Sequence, residues 1–469
     1  MVLDISIIKI RISFIVYPKS DLTKTLSKNI AVNNKFDKKS IAKQSSTSKM
    51  SREPYQVAID VGSNSIKLCV VKESLDNPGK LQVLCLLEGE SAGIRKGVIT
   101  NMSEATESLI ELINQAESIV GLPIKSAIVG INSPSITFVN SEGMAIISAS
   151  NNEITDIDVD RVVQDSLNKA FGMQNSKVIH LITKSFSVDN QQGIKYPTGM
   201  VGGKLEAKIL IVLCDNSFLR NFNKVFEQSD IHIAETIFTP LAASDYILSS
   251  RQKKAGSVLI DMGYASTSYI VLENEEVIYS GIVPAGSDHI TSDLAVGLQT
   301  NIEMAEEVKK QFLTLGKLDN ENETIEIYNP DLQINEKFKL SEIQQYAKPR
   351  VEELFSLILK DLKKIGKNSL PGGCVLIGGG SSLVGIDEIA RQTLKLNTFK
   401  YVFDLNTIEF VPDYNNNPAF INCIALAAYS YHHQDANQTN IIGKSSNSKL
   451  SNITSGSFWS NIKKYLPFG

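Results

Sequence analysis

The chain has 469 residues, of which 42% are hydrophobic and 21% charged, and its formal net charge is −4. This length is too great for one hydrophobic core and predicts two or more domains. The acidic balance argues against general nucleic-acid binding, and five scattered cysteines predict reduced thiols in a cytosolic protein without a structural metal.

The first residues differ in charge from the rest of the chain. Residues 1–50 hold ten Lys and Arg against three Asp and Glu, whereas residues 51–469 hold 37 against 48. Charged residues interrupt the apolar start, which therefore resembles neither a membrane span nor a signal peptide. We predict a basic disordered arm over residues 1–53. The alternative is a mis-annotated start, with Met50 as the initiator.

Two segments 201 residues apart resemble each other. They read VAIDVGSNSIKLCVV (57–71) and VLIDMGYASTSYIVL (258–272), which aligns Asp60 with Asp261 and Gly62 with Gly263. Each pattern predicts a strand, an Asp-x-Gly turn and a second strand. We interpret the pair as a duplication whose two turns face one cleft; the alternative is two unrelated hairpins.

Helical periodicity follows each hairpin. Residues 105–120 place Leu109, Ile113 and Ala116 on one face of a predicted helix. Residues 348–365 form a second amphipathic pattern, whose predicted inward residues are Val351, Leu354, Phe355, Ile358 and Leu362. Strand-like runs alternate with these helices, so the fold class is α/β.

Both turns, together with a later glycine run, suit a nucleotide. Backbone N–H groups in a tight Gly/Ser turn bind phosphate oxygens, and the Asp60 carboxylate is placed to hold Mg²⁺ through its water shell. The segment VLIGGGSSLVGIDEIA (375–390) leads a strand into Gly378, Gly379 and Gly380. Without Cβ atoms this turn admits a flat base or ribose; the alternative is a glycine turn needed only for chain reversal.

The end of the chain predicts a tethered amphipathic helix. Residues 432–456 are rich in Ser, Asn, Gln, Thr and Lys, typical of a flexible linker. Residues 457–469 predict a helix that binds a membrane surface, because aromatic rings and lysines suit the headgroup level. The alternative is a helix that docks on the protein itself. The apolar stripe comprises Phe458, Trp459, Ile462, Tyr465 and Leu466, with Lys463 and Lys464 beside it.

These residues resemble the actin-like ATPase superfamily and, within it, the FtsA family of bacterial cell-division proteins over roughly residues 55–469. The stretch NQQGIKYPTGMVGGKLEAKILIV (190–212) is the most specific, with GIRKGVITN (93–101), VPAGSDHITSDLA (283–295) and AEEVKKQF (305–312). The resemblance implies an actin-like ATPase fold, with two duplicated halves around a nucleotide cleft. The implied halves are residues 54–238, with an FtsA-type inserted subdomain at about 133–210, and 239–431, with an FtsZ-binding-type subdomain at about 287–349.

The resemblance also implies a binding site for ATP and Mg²⁺. It assigns the first phosphate loop to Asp60, Gly62, Ser63, Asn64 and Ser65, and the second to Asp261, Gly263, Ser266 and Thr267. It assigns the nucleoside end to Glu306, Lys309, Gly378, Gly379, Gly380 and Ser381. Without the resemblance, Glu306 and Lys309 read as a solvent-exposed helix pair.

The second loop departs from the family pattern, because DMGYASTS places Tyr264, Ala265 and Ser268 where two glycines and an aspartate are usual. We therefore predict ATP binding with weak or no hydrolysis, and assign no catalytic base.

The predicted function is a cell-division adaptor that tethers FtsZ filaments to the cytoplasmic membrane. Its expected partners are FtsZ, other copies of itself in a filament, membrane lipids and later divisome proteins, at the cytoplasmic face of the division septum. One alternative is a phosphohydrolase of the exopolyphosphatase branch, which GSNSIKL (62–68) resembles. Another is a pilus-assembly adaptor of the PilM type.

Overall fold

The computed structural model describes residues 55–77, 79–170, 175–329, 333–403, 407–410 and 417–438. The predicted basic arm, the membrane helix and the linker beyond residue 438 lie outside these ranges. Within them, none of the helices combines the length and the apolar character that a membrane span needs.

A six-stranded sheet organises the first half. Its strand order is β11 (His232–Phe238), β6 (Ser126–Ile131), β1 (Gln56–Val61), β2 (Ser65–Glu73), β3 (Leu81–Glu90) and β19 (Ile408–Phe410). Its first strands pair antiparallel, and β6 and β11 add in parallel. Helix α1 begins after Asn101, whose side chain accepts hydrogen bonds from the backbone of Ser103 and Glu104. The first elements are β1 (Gln56–Val61), β2 (Ser65–Glu73), β3 (Leu81–Glu90), β4 (Ile94–Arg95), β5 (Val98–Ile99), α1 (Met102–Val120) and β6 (Ser126–Ile131).

An inserted domain follows β6 and has its own antiparallel sheet, in the order β7-β10-β8-β9. Helix α2 covers one face of this sheet, and the apolar side chains between them form a separate core. The chain then returns to the first sheet. The elements are β7 (Ile136–Ile146), α2 (Asp156–Lys169), β8 (Ser176–Val188), β9 (Gln191–Ile194), β10 (Lys204–Asp215), α3 (Asn216–Gln228), β11 (His232–Phe238), α4 (Thr239–Ile247) and α5 (Ser250–Ala255).

The second half is built on a five-stranded sheet with strand order β14-β13-β12-β17-β18. Helices α6 to α9 pack against this sheet around a second core. The elements are β12 (Ser257–Met262), β13 (Thr267–Glu273), β14 (Glu276–Val283), α6 (Ser287–Leu298), α7 (Ile302–Phe312), β15 (Thr324–Asn329), β16 (Ile334–Lys339), α8 (Leu340–Lys364), β17 (Gly373–Ile377), α9 (Ile386–Leu394) and β18 (Thr398–Lys400).

The two sheets repeat one topology, which confirms the predicted duplication. Strands β3-β2-β1-β6-β11 of the first half match β14-β13-β12-β17-β18 of the second, including which neighbours are antiparallel and which parallel. The alternative of two unrelated hairpins is therefore wrong.

The end of the chain crosses back to the first half. Strand β19 (Ile408–Phe410) pairs with β3, and α10 (Ile421–Gln438) packs against β1, β2 and β6. The predicted second half, residues 239–431, thus ends with elements that belong to the first. Helix α10 is buried on every side from Ile421 to Ser430, and such a helix needs a surrounding core. It also extends the fold seven residues beyond Tyr431, so the predicted linker from 432 begins as helix.

The predicted helices form, with different N-terminal ends. The predicted inward residues of α1 and α8 are all buried. Helix α8 begins at Leu340 rather than 348, because Ile343 and Ala347 continue the buried stripe of Val351 upstream. Pro349 lies inside this helix, so the predicted subdomain boundary at residue 349 falls within a continuous element.

Candidate functional site between the two halves

The two Asp-x-Gly turns have the same local geometry. The Gly62 amide donates to the Ser65 carbonyl oxygen at 3.2 Å, and the Gly263 amide donates to that of Ser266 at 3.0 Å. A Cβ at either glycine would lie 2.8 Å from that oxygen, closer than real Cβ atoms approach. Each turn therefore needs glycine for close packing, and the need is equal in both halves.

The turns line one cleft of about 410 Å³ between the halves. Thr267 and Ser381 are not among the lining residues. Both are buried. The Thr267 hydroxyl donates to the Ala285 carbonyl oxygen and the Ser381 hydroxyl to that of Gly378, so both residues stabilise the backbone beside the cleft rather than face it. The sequence-predicted residues that line the cleft are Asp60, Gly62, Ser63, Asn64, Ser65, Asp261, Gly263, Ser266, Glu306, Lys309, Gly378, Gly379 and Gly380.

Two buried carboxyl groups lie at the floor of this cleft. Burial raises the pKa of Asp60 to about 6; Lys67 lowers it and Asp261 raises it further. Burial also raises the pKa of Asp261, against the hydrogen bonds of Asn422 and Asn132. Both Asn side chains donate to Asp261 Oδ2, at 2.9 Å and 3.0 Å. Asp261 Oδ1 is buried, with no hydrogen-bond partner among the residues that the structure describes.

A lysine lies beside the first turn. Lys67 Nζ donates to Ser65 Oγ at 2.6 Å, and Ser65 Oγ donates to Glu88 Oε1 at 2.5 Å. Lys67 also lies 3.6 Å from Glu88, and only 12% of its side chain is exposed. The cleft thus contains a fixed positive charge within reach of the first turn.

The predicted pair Glu306 and Lys309 forms an internal network on the second half. Lys309 Nζ donates to Glu306 Oε2, Thr291 Oγ1 and the Ser287 carbonyl at 2.5, 2.8 and 3.1 Å. It also lies 5.9 Å from the centre of the Tyr264 ring. Lys309 is 4% exposed, so the interpretation of this pair as solvent-exposed is wrong for the lysine.

The charges of this pair respond to burial and to each other. Burial lowers the pKa of Lys309, although the hydrogen bond to Glu306 opposes that shift. Burial acts to raise the pKa of Glu306, but hydrogen bonds from Lys309 and Thr291 outweigh it, and the net shift is downward. An ion pair is therefore built into this wall of the cleft.

The three glycines after β17 have different roles. Gly378 has φ +84°, and a Cβ there would lie 2.3 Å from Asp261 Oδ1. A Cβ at Gly380 would lie 3.0 Å from the Met262 side chain. Gly379 has no atom within 4 Å of such a Cβ and borders the open cleft. Internal packing thus explains Gly378, and the space beside Gly379 remains available to a ligand.

Sequence reasoning missed several lining residues: Lys67, Glu88, Asn132, Lys310, Gln311, Val384, Asn417 and Asn422. Lys67 had a local signal, because it lies two residues after Ser65 and so shares its face of β2. Asn132 and Asn422 had none, since they follow β6 and begin α10, far along the chain from either turn.

The sequence matches two family models. Residues 258–425 match the model described as "Cell division protein FtsA", and residues 134–213 match "SHS2 domain inserted in FTSA". The second range covers β7 to β10 of the inserted domain.

Curated relatives match across most of the chain. The cell division protein FtsA of Bacillus subtilis is 31% identical over 74% of this chain and 78% of its own length. That of Streptococcus pneumoniae is 30% identical over 81% of each chain.

Among solved structures, a chain of the PilM-PilN type IV pilus biogenesis complex matches with a TM-score of 0.58 at 13% identity, over 79% of this chain and 97% of that one. This likeness concerns the fold alone. The architecture is the actin-like ATPase fold, with two duplicated halves and an FtsA-type inserted domain. On the evidence of its curated relatives, this chain belongs to the FtsA family of cell-division proteins.

Proposed function

We propose that this protein binds ATP with Mg²⁺ and acts as an adaptor that tethers FtsZ filaments to the cytoplasmic membrane at the division septum. In this role it assembles into actin-like filaments and helps to recruit later divisome proteins. Membership of a cell-division family supports the general role. The cleft between the halves supports the nucleotide.

One observation carries the nucleotide proposal: two equivalent turns, one from each half, line the same cleft. In the proposed complex, backbone N–H groups of both turns and the hydroxyls of Ser63 and Ser266 bind phosphate oxygens, while the Ser65 hydroxyl stays bonded to Glu88 and orients Lys67. Lys67 adds a charge-assisted hydrogen bond, which is stronger than a neutral one. This arrangement favours a polyphosphate chain over a neutral ligand.

The residues present fit a magnesium ion. Asp60 and Asp261 offer hard oxygen ligands, and none of the described residues forms a hydrogen bond with Asp261 Oδ1. No group of three or more His, Cys, Asp or Glu with metal-binding geometry occurs in the part of the chain that the structure describes. We therefore propose that Asp60 and Asp261 hold Mg²⁺ together with water and phosphate oxygens, as is common for this ion. The ion would neutralise phosphate charge between the two turns.

We propose that the nucleoside lies at the other end of the cleft, against Gly379 and α7. The Lys309 ammonium already has three hydrogen-bond partners, so it supports the wall rather than serving as a free donor. Tyr264 occupies the second turn where the family pattern has glycine, and fills space next to the phosphates. We therefore propose that the site binds ATP with weak or no hydrolysis.

The partner proposals rest on other regions. Val296, Tyr328 and Ile334 are exposed apolar side chains on the subdomain over residues 287–349. We propose this subdomain as the FtsZ-binding region. The membrane contact is proposed for residues 457–469, where one short helix binds weakly and many tails on one filament bind firmly through avidity.

Lys67→Met tests the phosphate end directly. We expect affinity for a fluorescent ATP analogue to fall by about 10- to 100-fold, because a charge-assisted hydrogen bond contributes about 1.5–3 kcal/mol. Affinity for adenosine should stay unchanged. Lys72→Met, on the same strand but outside the cleft, is the matched control.

Equal loss of ATP and adenosine binding in Lys67→Met would contradict the proposed orientation. Rapid phosphate release from polyphosphate by the unmodified protein would instead support the phosphohydrolase alternative. No observation on the structure favours that alternative or the pilus-assembly adaptor over the FtsA role.

A further inference from the structure

The first half holds the second at the cleft floor through one carboxylate. Asn132 Nδ2 donates to Asp261 Oδ2 at 3.0 Å and to Ser268 Oγ at 2.8 Å. Asn422 Nδ2 donates to the same Oδ2 at 2.9 Å. Asp261 is 2% exposed and Asn422 is 9% exposed, so these bonds lie almost entirely out of solvent.

These hydrogen bonds join elements that the chain brings together from three distant places. Asn132 follows β6 and Asn422 lies in the first turn of α10, and both elements belong to the first half. Asp261 ends β12 and Ser268 faces it across the hairpin of the second half. Every one of these bonds therefore crosses from one half to the other.

We call the hydrogen bonds from Asn132 and Asn422 to Asp261 the clamp. The duplicated position in the first half has no equivalent of it among the described residues. Asp60 aligns with Asp261 in the repeat, yet among the described residues no side-chain amide donates to it. The contacts from these two Asn side chains thus distinguish the hairpin of the second half from that of the first. Of the two equivalent carboxylates, these amides contact Asp261 and not Asp60, which indicates a role specific to Asp261.

The clamp divides the two oxygens of Asp261 between different tasks. Oδ2 accepts hydrogen bonds from both amides, whereas Oδ1 lies next to Gly378 and has no hydrogen-bond partner within the described ranges. The Oδ1 atoms of Asn132 and Asn422 are also buried and have no hydrogen-bond partner in the described part of the chain. Both amides thus direct their donors at the carboxylate and leave their acceptors unpaired there. Leaving buried acceptors unpaired costs free energy, and such cost is common where a site is arranged for a ligand.

We propose that Asn132 and Asn422 are positioning residues, which fix Asp261 through Oδ2 and leave Oδ1 for the cation that accompanies the nucleotide. This arrangement couples occupancy of the cleft to the contact between the halves. This inference rests on the proposed nucleotide function. A cation on Oδ1 and the amides on Oδ2 share one carboxylate, so each affects the strength of the other. By thermodynamic linkage, the free energy by which the clamp strengthens cation binding equals the free energy by which the cation strengthens the clamp.

The affinity test uses Asn132→Ala, Asn422→Ala and Asp261→Asn, with exposed Asn221→Ala on α3 as the control of the same residue type. Binding of a fluorescent ATP analogue is measured with Mg²⁺ and with EDTA. Both clamp variants should lose about 10- to 100-fold in affinity with Mg²⁺, as is typical when a residue that orients a metal ligand is removed. With EDTA their affinity should change less than about threefold, because the phosphate turns remain intact.

A double-mutant cycle separates positioning from a general structural effect. If Asn132 acts through Asp261, Asn132→Ala should cause no further loss in the Asp261→Asn background. Hydrogen exchange provides the second readout. Mg-ATP should change exchange at the start of α10 and after β6 in the unmodified protein and in Asn221→Ala, but not in Asp261→Asn.

The outcomes distinguish this inference from the function on which it rests. Normal Mg-ATP affinity in both clamp variants, together with weakened binding in Asp261→Asn, would overturn the inference and leave the proposed function intact. Absence of Mg-dependent nucleotide binding in the unmodified protein would overturn both. If Asn422→Ala fails to fold, half-buried Asn132 supports the complete test alone.

Discussion

Asp60 and Asp261 are equivalent in the duplicated fold but have different surroundings. Two amides hold Asp261, whereas Asp60 is influenced chiefly by burial, by Lys67 and by Asp261 itself. At neutral pH the buried Asp60 carboxyl is therefore ionised, and its burial lowers the free energy of unfolding. Such a cost is typical of a residue retained for binding.

Asp60→Asn should stabilise the protein while it removes binding. The pKa of Asp60 is about 6 in the native state against 3.8 for an aspartate in the unfolded chain, so the native state binds more protons between these pH values. The contribution of Asp60 to stability is present below pH 3.8 and lost as pH rises through 6. At pH 7.5 without Mg²⁺, Asp60→Asn should raise the free energy of unfolding by at most about 3 kcal/mol.

Urea unfolding at pH 7.5 and pH 4 measures this effect, with exposed Asp76→Asn as the control. The stabilisation should disappear at pH 4, and Mg-ATP should no longer raise the melting temperature of Asp60→Asn. A variant that is less stable at pH 7.5 and still stabilised by Mg-ATP would place the carboxyl outside the binding site.

At the scale of elements, the inserted domain is linked to the second half as well as to the first. Lys184 on β8 donates to the Ile278 carbonyl of β14 and to Asn140 Oδ1, both at 2.7 Å. Glu275, in the turn before β14, forms ion pairs with Lys195 and Lys254. The inserted domain thus contacts both halves, and we expect its position to change when the halves move relative to each other.

Lys184→Met should change the pH dependence of stability. Burial lowers the pKa of Lys184 to about 8; Glu276 opposes this shift and Lys208 adds to it. The native state then binds fewer protons than the unfolded state between pH 8 and 10.5, so stability from this group rises with pH across that window. Between pH 7.5 and 9.5, the unmodified protein should gain at most about 2 kcal/mol relative to Lys184→Met.

Urea unfolding at the two pH values measures the gain, and exposed Lys177→Met on the same strand serves as the control. Identical pH dependence in the unmodified protein and Lys184→Met would mean that this amine is solvated, and that the contact with β14 is open in solution.

Local elements were predictable from sequence where their signals are local. The Asp-x-Gly turns and the buried stripe of α1 depend on nearby residues, and the structure contains them as predicted. The clamp of Asn132 and Asn422 was not predictable, because it depends on which strand ends and helix ends meet in space. Helix α8 begins eight residues before the predicted pattern, because packing of Ile343 and Ala347 extends the helix upstream through Pro349.

At the scale of the molecule, the duplication was visible in sequence and the path of the chain was not. A repeat leaves the same residues in both halves, and these align without a structure. The return of β19 and α10 to the first half depends on pairing with β3 and on burial against β1, which involve residues more than 300 positions apart. Such contacts leave no local pattern.

The proposed function requires that this chain link FtsZ to a membrane in response to nucleotide. The direct measurement is co-sedimentation of FtsZ with vesicles that contain anionic lipid, using the full chain with and without Mg-ATP and a chain that lacks residues 457–469. We predict that FtsZ sediments with vesicles only in the presence of the full chain, and more when Mg-ATP is present. Equal recruitment of FtsZ to vesicles by the shortened chain, or no recruitment by the full chain with Mg-ATP, would contradict the proposed function.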